Sequence, residues 1–379
     1  MKCYLFLILN LLAIMISQTR YIDEVFDEIS VTENVVYGNA PDLPFIFLFE
    51  WNTVDVDLDM DIYEPVGDVE PQRPVIIFLH PGSFFSGSNE SGDMVSLASD
   101  AAKRGYVGIS ANYRLGLNIV STYSGERAVY RGVQDASAIV RYLREHHEEL
   151  NIDPDKIFIW GSSAGSFIGL HLAYSDDTER PESTYGSGSD PDLGCIDCEG
   201  NIYNHSSKPN ALVSCWGAIG DLDWINQEDD IPAVMHHGTL DLVVSHDSGL
   251  PFTVNIALPV VYGSSQIYNR LNSLNIDSEV YIEQGVGHEY WGSLNGNWVT
   301  GPNEYYNQIL ERSFNFLYNQ LDAVEAGDVN QDSEINVLDI VEGVNLILSS
   351  NYDSFADVNS DGLVDILDII LIVNIVIGE

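Results

Sequence analysis

The stretch "IFIWGSSAGSFIGL", residues 157–170, places a turn of small residues between two apolar runs. The first run is rich in isoleucine and aromatic residues and predicts a buried strand, whereas the second predicts a helix. The turn matches the pattern G-x-S-x-G, in which a serine hydroxyl is presented on a sharp strand-to-helix turn, with Ser163 as the central serine. Because so short a pattern also arises by chance, its meaning depends on the rest of the chain.

Short apolar runs recur along the chain and alternate with longer helical stretches. They are continuous rather than alternating in polarity, as expected for strands of a parallel sheet that helices cover on both faces. The predicted strands are 73–80, 106–113, 156–161, 211–217, 231–238 and 278–285, preceded by edge strands over 33–39 and 54–63. A long helix is predicted over 127–150. The pattern predicts an α/β fold with a mostly parallel twisted sheet.

Two later turns supply partners for Ser163. Asp241 follows the strand over 231–238, and His288 lies on a glycine-flanked turn after the strand over 278–285. Serine, acid and histidine in this chain order are the order of the α/β-hydrolase triad. We therefore predict Ser163 as nucleophile, His288 as base and Asp241 as the acid that orients it. Weaker candidates for these roles are His146, His147, His236, His237, Asp221 and Asp223.

The loop "HPGSF", residues 80–84, follows a predicted strand and precedes the Ser163 turn by one strand and one helix. Such a loop can aim the amides of Gly82 and Ser83 at a developing oxyanion, with the amide of Ala164 as a third donor. The alternative is an ordinary turn of Gly and Ser residues. The position of the loop in the chain favours the oxyanion hole.

The composition limits the partners of the protein. The formal net charge is −43 and the pI is about 4.1, so nucleic acid and anionic lipid are repelled. Residues 1–18 have the pattern of a secretory signal peptide, with an uncleaved anchor as the alternative, and predict a secreted protein. Three cysteines, Cys195, Cys198 and Cys215, then predict one structural disulfide and one free thiol, in a pairing that the sequence leaves open.

A repeat occupies the end of the chain: "DVNQDSEINVLD" begins at 328 and "DVNSDGLVDILD" at 357. Oxygen donors recur at loop positions 1, 3, 5, 9 and 12, the spacing that wraps Ca²⁺, and position 7 contributes a backbone carbonyl. Two copies in register, each followed by an apolar run, favour two calcium sites over a solvated acidic linker. The predicted ligands are Asp328, Asn330, Asp332, Glu334, Asn336, Asp339, Asp357, Asn359, Asp361, Leu363, Asp365 and Asp368.

The quoted motifs, with "LDMDIYEPVGD", "ANYRLG", "GVQDASAIVRYLRE", "HGTLDLVV" and "GHEYW", resemble in order the carboxylesterase/lipase branch of the α/β-hydrolase family. The resemblance implies a serine carboxylic ester hydrolase that needs no catalytic cofactor, and it leaves the ester open. One departure is the run Pro81-Gly82-Ser83, where the family commonly has three glycines. The family also contains inactive adhesion proteins and serine peptidases, which are the alternatives.

The tandem acidic loops resemble a dockerin module, which implies attachment to a cohesin-bearing scaffold or cell surface. Ser333 replaces the glycine expected at position 6 of the first loop, and the pairs 337–338 and 366–367 are apolar where dockerins are usually polar. The predicted organisation is a signal peptide over 1–18, a catalytic domain over 19–321 and a dockerin-like module over 322–379.

Overall fold

The computed structural model describes residues 19–43, 50–118, 123–228, 230–251, 259–321, 327–330, 335–349, 351–353, 355–359 and 362–377, and the predicted signal segment lies outside them. The strands in chain order are β1 (Ile29–Asp42), β2 (Val54–Pro65), β3 (Arg73–Leu79), β4 (Val107–Ala111), β5 (Ile152–Ser162), β6 (Ala211–Cys215), β7 (Ala218–Ile219), β8 (Ala233–Gly238), β9 (Ser248–Gly249), β10 (Val261–Gly263), β11 (Ser278–Glu283), β12 (Ser293–Leu294) and β13 (Asn297–Trp298). The α-helices are α1 (Gly92–Lys103), α2 (Ser124–Glu145), α3 (His147–Leu150), α4 (Ala164–Tyr174), α5 (Ser264–Ser273), α6 (Glu304–Asn319), α7 (Val337–Ser349) and α8 (Ile366–Ile377).

In the described part of the chain, eight strands form one sheet in the order β1-β2-β4-β3-β5-β6-β8-β11. The pairs from β4 to β11 are parallel, whereas β1 and β2 are antiparallel leading strands at one edge. All residues of β3, β4, β6 and β8 are buried, which explains why these strands read as continuous apolar runs. The predicted mostly parallel α/β sheet is confirmed.

Several element boundaries differ from the prediction, two of them with a clear local cause. The helix expected over 127–150 ends at Glu145 and is followed by the separate single turn α3. Strand β5 begins at Ile152, four residues earlier than expected, because its pairing with β3 shifts register between Ile152 and Ile157. Pro154 lies within this shift, where its missing N–H removes no regular ladder hydrogen bond.

The turn from β5 into α4 depends on two close approaches of backbone. A Cβ atom at Gly161 would lie 2.4 Å from the carbonyl carbon of Gly165, within the turn itself. A Cβ atom at Gly165 would lie 2.0 Å from the carbonyl oxygen of Leu79, at the end of β3. These glycines therefore let the first turn of α4 pack directly on the centre of the sheet.

We expect Gly165→Ala to destabilise this domain by about 1–3 kcal/mol or more, because an added methyl group cannot fit against a backbone carbonyl. Unfolding in urea can be followed by tryptophan fluorescence, since all six tryptophans lie between residues 51 and 298. Gly287→Ala is the matched control, because a Cβ atom there meets only Leu240 O, at 3.7 Å. Equal unfolding midpoints for the two variants would contradict the packing argument.

The chain separates into two compact units, residues 1–317 and 318–379. In the second unit α7 and α8 pack around a small core of Val329, Ala356, Ile369 and Ile372. Within the described residues, none of the helices combines the length and the apolar character that a membrane span requires.

Candidate active site

Ser163 stands between β5 and α4 in a conformation that L-residues rarely adopt, with φ of 52° and ψ of −113°. Its N–H donates to the carbonyl of Cys215 at 3.0 Å, which fixes the turn against β6. The preceding hydroxyl, that of Ser162, is buried and accepts a hydrogen bond from Trp216 Nε1 at 3.0 Å. The two serines thus differ in direction, and Ser163 is the one that meets His288.

The structure brings the three predicted triad residues together. His288 Nδ1 lies 2.7 Å from Asp241 Oδ2, and His288 Nε2 lies 2.8 Å from Ser163 Oγ. Because a carboxylate only accepts hydrogen bonds, the imidazole proton sits on Nδ1. The Nε2 atom is therefore placed to accept the proton of the Ser163 hydroxyl.

Asp241 is held as a buried carboxylate with defined acceptor contacts. Its Oδ1 accepts the backbone N–H groups of Val243 and Val244 at 2.8 and 2.9 Å, and its side chain is fully buried. Burial alone raises the pKa of Asp241, but hydrogen bonds from His237 and His288 outweigh it and hold the pKa well below its usual value. Asp241 is therefore charged at neutral pH. The alternative acids Asp221 and Asp223 are both exposed.

The loop after β3 is a tight turn beside Ser163. Gly82, Ser83 and Phe84 all have positive φ, and Gly82 O accepts from the amides of residues 85 and 86. Ser83 and Ala164 line a narrow apolar recess together with Ser163, so two of the three predicted oxyanion donors border the nucleophile. The loop is anchored by His80, whose ring contacts Pro81 O at 2.7 Å, and burial lowers the pKa of His80 to about 4.

A larger cavity of about 370 Å³ adjoins this recess, and Phe167 of α4 lines both. Its wall is formed by α2, by Trp224 and by residues 175–183, which belong to the polar segment between α4 and β6. That segment, residues 175–210, has little regular secondary structure, and we call it the excursion. The cavity wall carries both aromatic rings and carboxylates, among them Tyr130, Glu126 and Asp176.

Side chains of α2 hold this excursion in place by donating to its backbone carbonyls. Arg127 donates to Ser183 O and Pro191 O at 2.7 and 2.6 Å, and Gln134 donates to Leu193 O and Cys195 O. Irregular backbone needs such donors because its carbonyls have no ladder partners. Within the excursion Cys195 and Cys198 form a disulfide, and Cys215 is a buried free thiol, which settles the pairing that the sequence left open.

Two buried carboxyl groups lie beside the His288 turn. Glu289, which has a φ of 46°, and Asp93 of α1 both contact the Ser293 hydroxyl, at 2.7 and 3.4 Å. Burial raises the pKa of Asp93 well above its usual value, and the charge of Glu289 raises it further. Asp93 therefore holds a proton in the folded state at pH values where an unfolded chain has lost it.

This proton predicts a pH dependence of stability. A folded-state pKa above the unfolded value stabilises the fold fully below the unfolded pKa of about 3.9, and the contribution is lost as pH rises through the folded-state pKa. We expect Asp93→Asn to reduce the loss of stability as pH rises above that unfolded value, because an amide cannot ionise. Urea midpoints from tryptophan fluorescence measure the effect, with the exposed Asp223→Asn as control. A wild-type pH slope in Asp93→Asn would refute this role.

In the second unit the two acidic loops have the same internal hydrogen bonds. Asp339 accepts from the amides of Asn330 and Asn336 at 3.0 and 2.8 Å, and Asp368 accepts from the equivalent amides of Asn359 and Asp365 at 3.2 and 2.9 Å. Carboxylate and amide oxygens fit a hard cation. Among the described residues no three His, Cys, Asp or Glu side chains form a metal cluster. The predicted ligands Asp332, Glu334 and Asp361 lie outside the described residues.

Comparison with known proteins identifies both parts. Residues 60–219 match the BD-FAE family model, and residues 326–377 match the dockerin type I domain model. The chain joins an esterase-like α/β-hydrolase fold to a dockerin type I domain. The hydrolase fold is also that of a thermophilic esterase from Thermogutta terrifontis, which aligns over 76% of this chain and 93% of its own with 22% identity and a TM-score of 0.52.

Sequence relatives cover shorter parts. A neuroligin-like protein of Caenorhabditis elegans is 28% identical over 52% of this chain and 27% of its own length. Carboxylesterase 3B of Mus musculus is 34% identical over 31% of this chain and 20% of its own length. The chain thus spans about a quarter or less of these two relatives, and one of them is named as an esterase and the other as a neuroligin. This similarity supports the hydrolase fold of the chain, but it does not show that the chain has the activity of either whole protein.

Proposed function

We propose that this protein is a serine carboxylic ester hydrolase that acts through Ser163, His288 and Asp241. The observation that carries the proposal is the continuous pair of contacts, 2.8 Å from Ser163 Oγ to His288 Nε2 and 2.7 Å from His288 Nδ1 to Asp241 Oδ2. A buried carboxylate, a tautomer set by it and a nucleophile on a strained turn are the parts that acyl transfer requires. None of these steps requires a catalytic cofactor.

In the first half-reaction His288 Nε2 takes the proton of Ser163 as Oγ attacks the ester carbonyl carbon. Asp241 stabilises the imidazolium that forms, and the amides of Gly82, Ser83 and Ala164 carry the developing oxyanion. Each such donor contributes roughly 3 kcal/mol in enzymes of this kind. The proton then passes from His288 to the leaving alkoxide, the alcohol departs and an acyl-enzyme remains on Ser163.

In the second half-reaction water replaces the alcohol. His288 Nε2 removes a proton from water while the hydroxide oxygen attacks the acyl carbonyl carbon, and the same amides carry the oxyanion. The bond from the carbonyl carbon to Ser163 Oγ then breaks as His288 returns the proton to the serine. The carboxylic acid leaves, and the triad is restored.

The assignment of the nucleophile predicts both a loss of turnover and a loss of labelling. We expect the wild type to hydrolyse short-chain p-nitrophenyl esters and Ser163→Ala to lose at least 10³-fold in kcat. An organophosphate should add its phosphoryl mass to the Ser163 peptide of the wild type only. Ser162→Ala is the matched control and should keep both properties. An inactive wild type would favour the adhesion-protein alternative. An active Ser163→Ala variant would contradict only the assignment of Ser163 as nucleophile.

We further propose that the dockerin domain binds two Ca²⁺ ions and attaches the enzyme to a scaffold outside the cell. Support comes from the matched hydrogen bonds of the two loops and from the oxygen chemistry of the twelve predicted ligands named above. Backbone N–H donors, including those of Asn330 and Asn336, outweigh burial and hold the pKa of Asp339 below its usual value. The charged carboxylate, which is the form that binds a cation, is therefore favoured. The partner that this domain type implies is a cohesin on the scaffold.

Removal of calcium should unfold the second unit and leave the first unit folded and active. We expect EDTA to lower the helical circular dichroism and the protease resistance of residues 318–379, because buried carboxylates then repel one another. Tryptophan fluorescence should stay unchanged, since the second unit contains no tryptophan. Ester turnover should also stay unchanged, because Ser163, Asp241 and His288 all lie in the first unit. Calorimetric titration should show two sites in the wild type, one each in Asp339→Ala and Asp368→Ala, and two in the control Asp353→Asn. Loss of turnover without unfolding of the second unit would contradict this picture.

A further inference from the structure

A second imidazole lies against the triad carboxylate. His237, at the end of β8, is completely buried, and its Nε2 is 3.4 Å from Asp241 Oδ2 and 3.0 Å from Val244 O. On the other side of the ring, Nδ1 is 2.8 Å from the hydroxyl of Ser264, the first residue of α5. The sequence offered His237 only as a weaker candidate for the base, because it lies in a predicted strand whereas His288 lies on a glycine-flanked turn. Nothing in the linear pattern indicates its contact with Asp241.

These contacts assign the proton of the His237 ring. Val244 O can only accept, so Nε2 carries a hydrogen, while the Ser264 hydroxyl, which can donate or accept, pairs with Nδ1. The Nε2–H therefore points between the carbonyl of Val244 and the carboxylate of Asp241. Besides Asp241, the ionisable group among the described residues that faces the ring is His246, whose ring centroid is 6.3 Å away and whose Nδ1 contacts the Ser265 hydroxyl.

With His237 included, each oxygen of the Asp241 carboxylate has two N–H groups nearby. The amides of Val243 and Val244 hold Oδ1, while His288 and His237 both approach Oδ2. Without His237, Oδ2 would be held by His288 alone, so the carboxylate could shift towards water on that side and misdirect the His288 ring. The Ser264 hydroxyl and the Val244 carbonyl keep His237 itself from rotating.

We propose that His237 is a positioning residue that fixes Asp241 and, through it, the orientation and proton affinity of His288. The proposal rests on the proposed serine hydrolase mechanism. The competing explanation is that His237 only fills the core and ties the turn over 239–244 to β8. That role would lower stability without changing the chemistry.

The first experiment compares His237→Phe, which keeps a ring but removes the N–H, with His237→Gln, whose amide can donate near the position of Nε2. We expect His237→Phe to lower kcat on the order of tenfold with little change in KM, as for loss of a hydrogen bond to a charged group. The acidic limb of its kcat/KM profile should move to higher pH, because a carboxylate with one donor fewer favours protonated His288 more strongly. His237→Gln should restore both.

The matched control is His236→Phe. His236 is the neighbouring residue on β8, equally buried, but its Nε2 contacts Ser313 of α6 and not the triad. We expect it to lose stability, as measured by tryptophan fluorescence, yet to keep the wild-type kcat and pH profile. A His237→Phe variant that behaves as His236→Phe does would overturn the proposal and leave a packing role.

A second measurement does not depend on turnover. The low-field proton resonance of the His288–Asp241 hydrogen bond should be present in the wild type, shifted or lost in His237→Phe and retained in His237→Gln and His236→Phe. Ser264→Ala, which frees the His237 ring without removing it, should broaden the resonance and serves if His237→Phe does not fold. An unchanged resonance in both would overturn the proposal, whereas an inactive wild type with the expected shifts would refute only the proposed function.

Discussion

The structure depends on one crowded point, where the turn after β5 meets the end of β3. Ser163 can hold a positive φ there only because Gly161 and Gly165 allow backbone to approach backbone at distances that no Cβ atom would permit. The strain is tolerated because the wholly buried strands β3 and β6 flank the turn. From this point the hydroxyl faces the two loops that follow β8 and β11, which is where parallel strands bring their carboxyl ends together.

Positive charge is scarce in this chain, and much of it lies inside. The chain has fifteen Lys and Arg residues against fifty-eight Asp and Glu residues, and Arg73, Arg114, Arg127, Arg131 and Arg141 are buried. Two of these guanidinium groups, those of Arg127 and Arg141, donate to carbonyls of the excursion that walls the large cavity. They therefore stabilise the shape of the pocket, while the acidic side chains dominate the surface and the two acidic loops of the second unit. This division explains how a chain with a net charge of −43 can hold an ordered polar segment beside its candidate active site.

Local pattern was informative wherever a residue's role follows from its position on one element. The strands were recognisable because a parallel sheet is apolar on both faces, and Ser163, Asp241 and His288 because each stands on the turn after a strand. Contacts made between elements leave no such trace. His237 reads as one residue of an apolar strand, and its contact with Asp241 exists only because the loop over 239–244 folds back over β8. The pair Asp93 and Glu289 comes from segments almost two hundred residues apart, and nothing in either segment indicates the other.

By itself, the sequence determined the parallel α/β sheet, the presence of two modules and the chain order of the candidate triad, since these follow from hydrophobic periodicity, repeat spacing and turn residues. Tertiary structure decided which cysteines pair, which imidazole faces the nucleophile and which supports the acid, and how α2 shapes the cavity. The physical reason is that hydrogen bonds and burial depend on distances across the fold, whereas periodicity records only how each element faces the core.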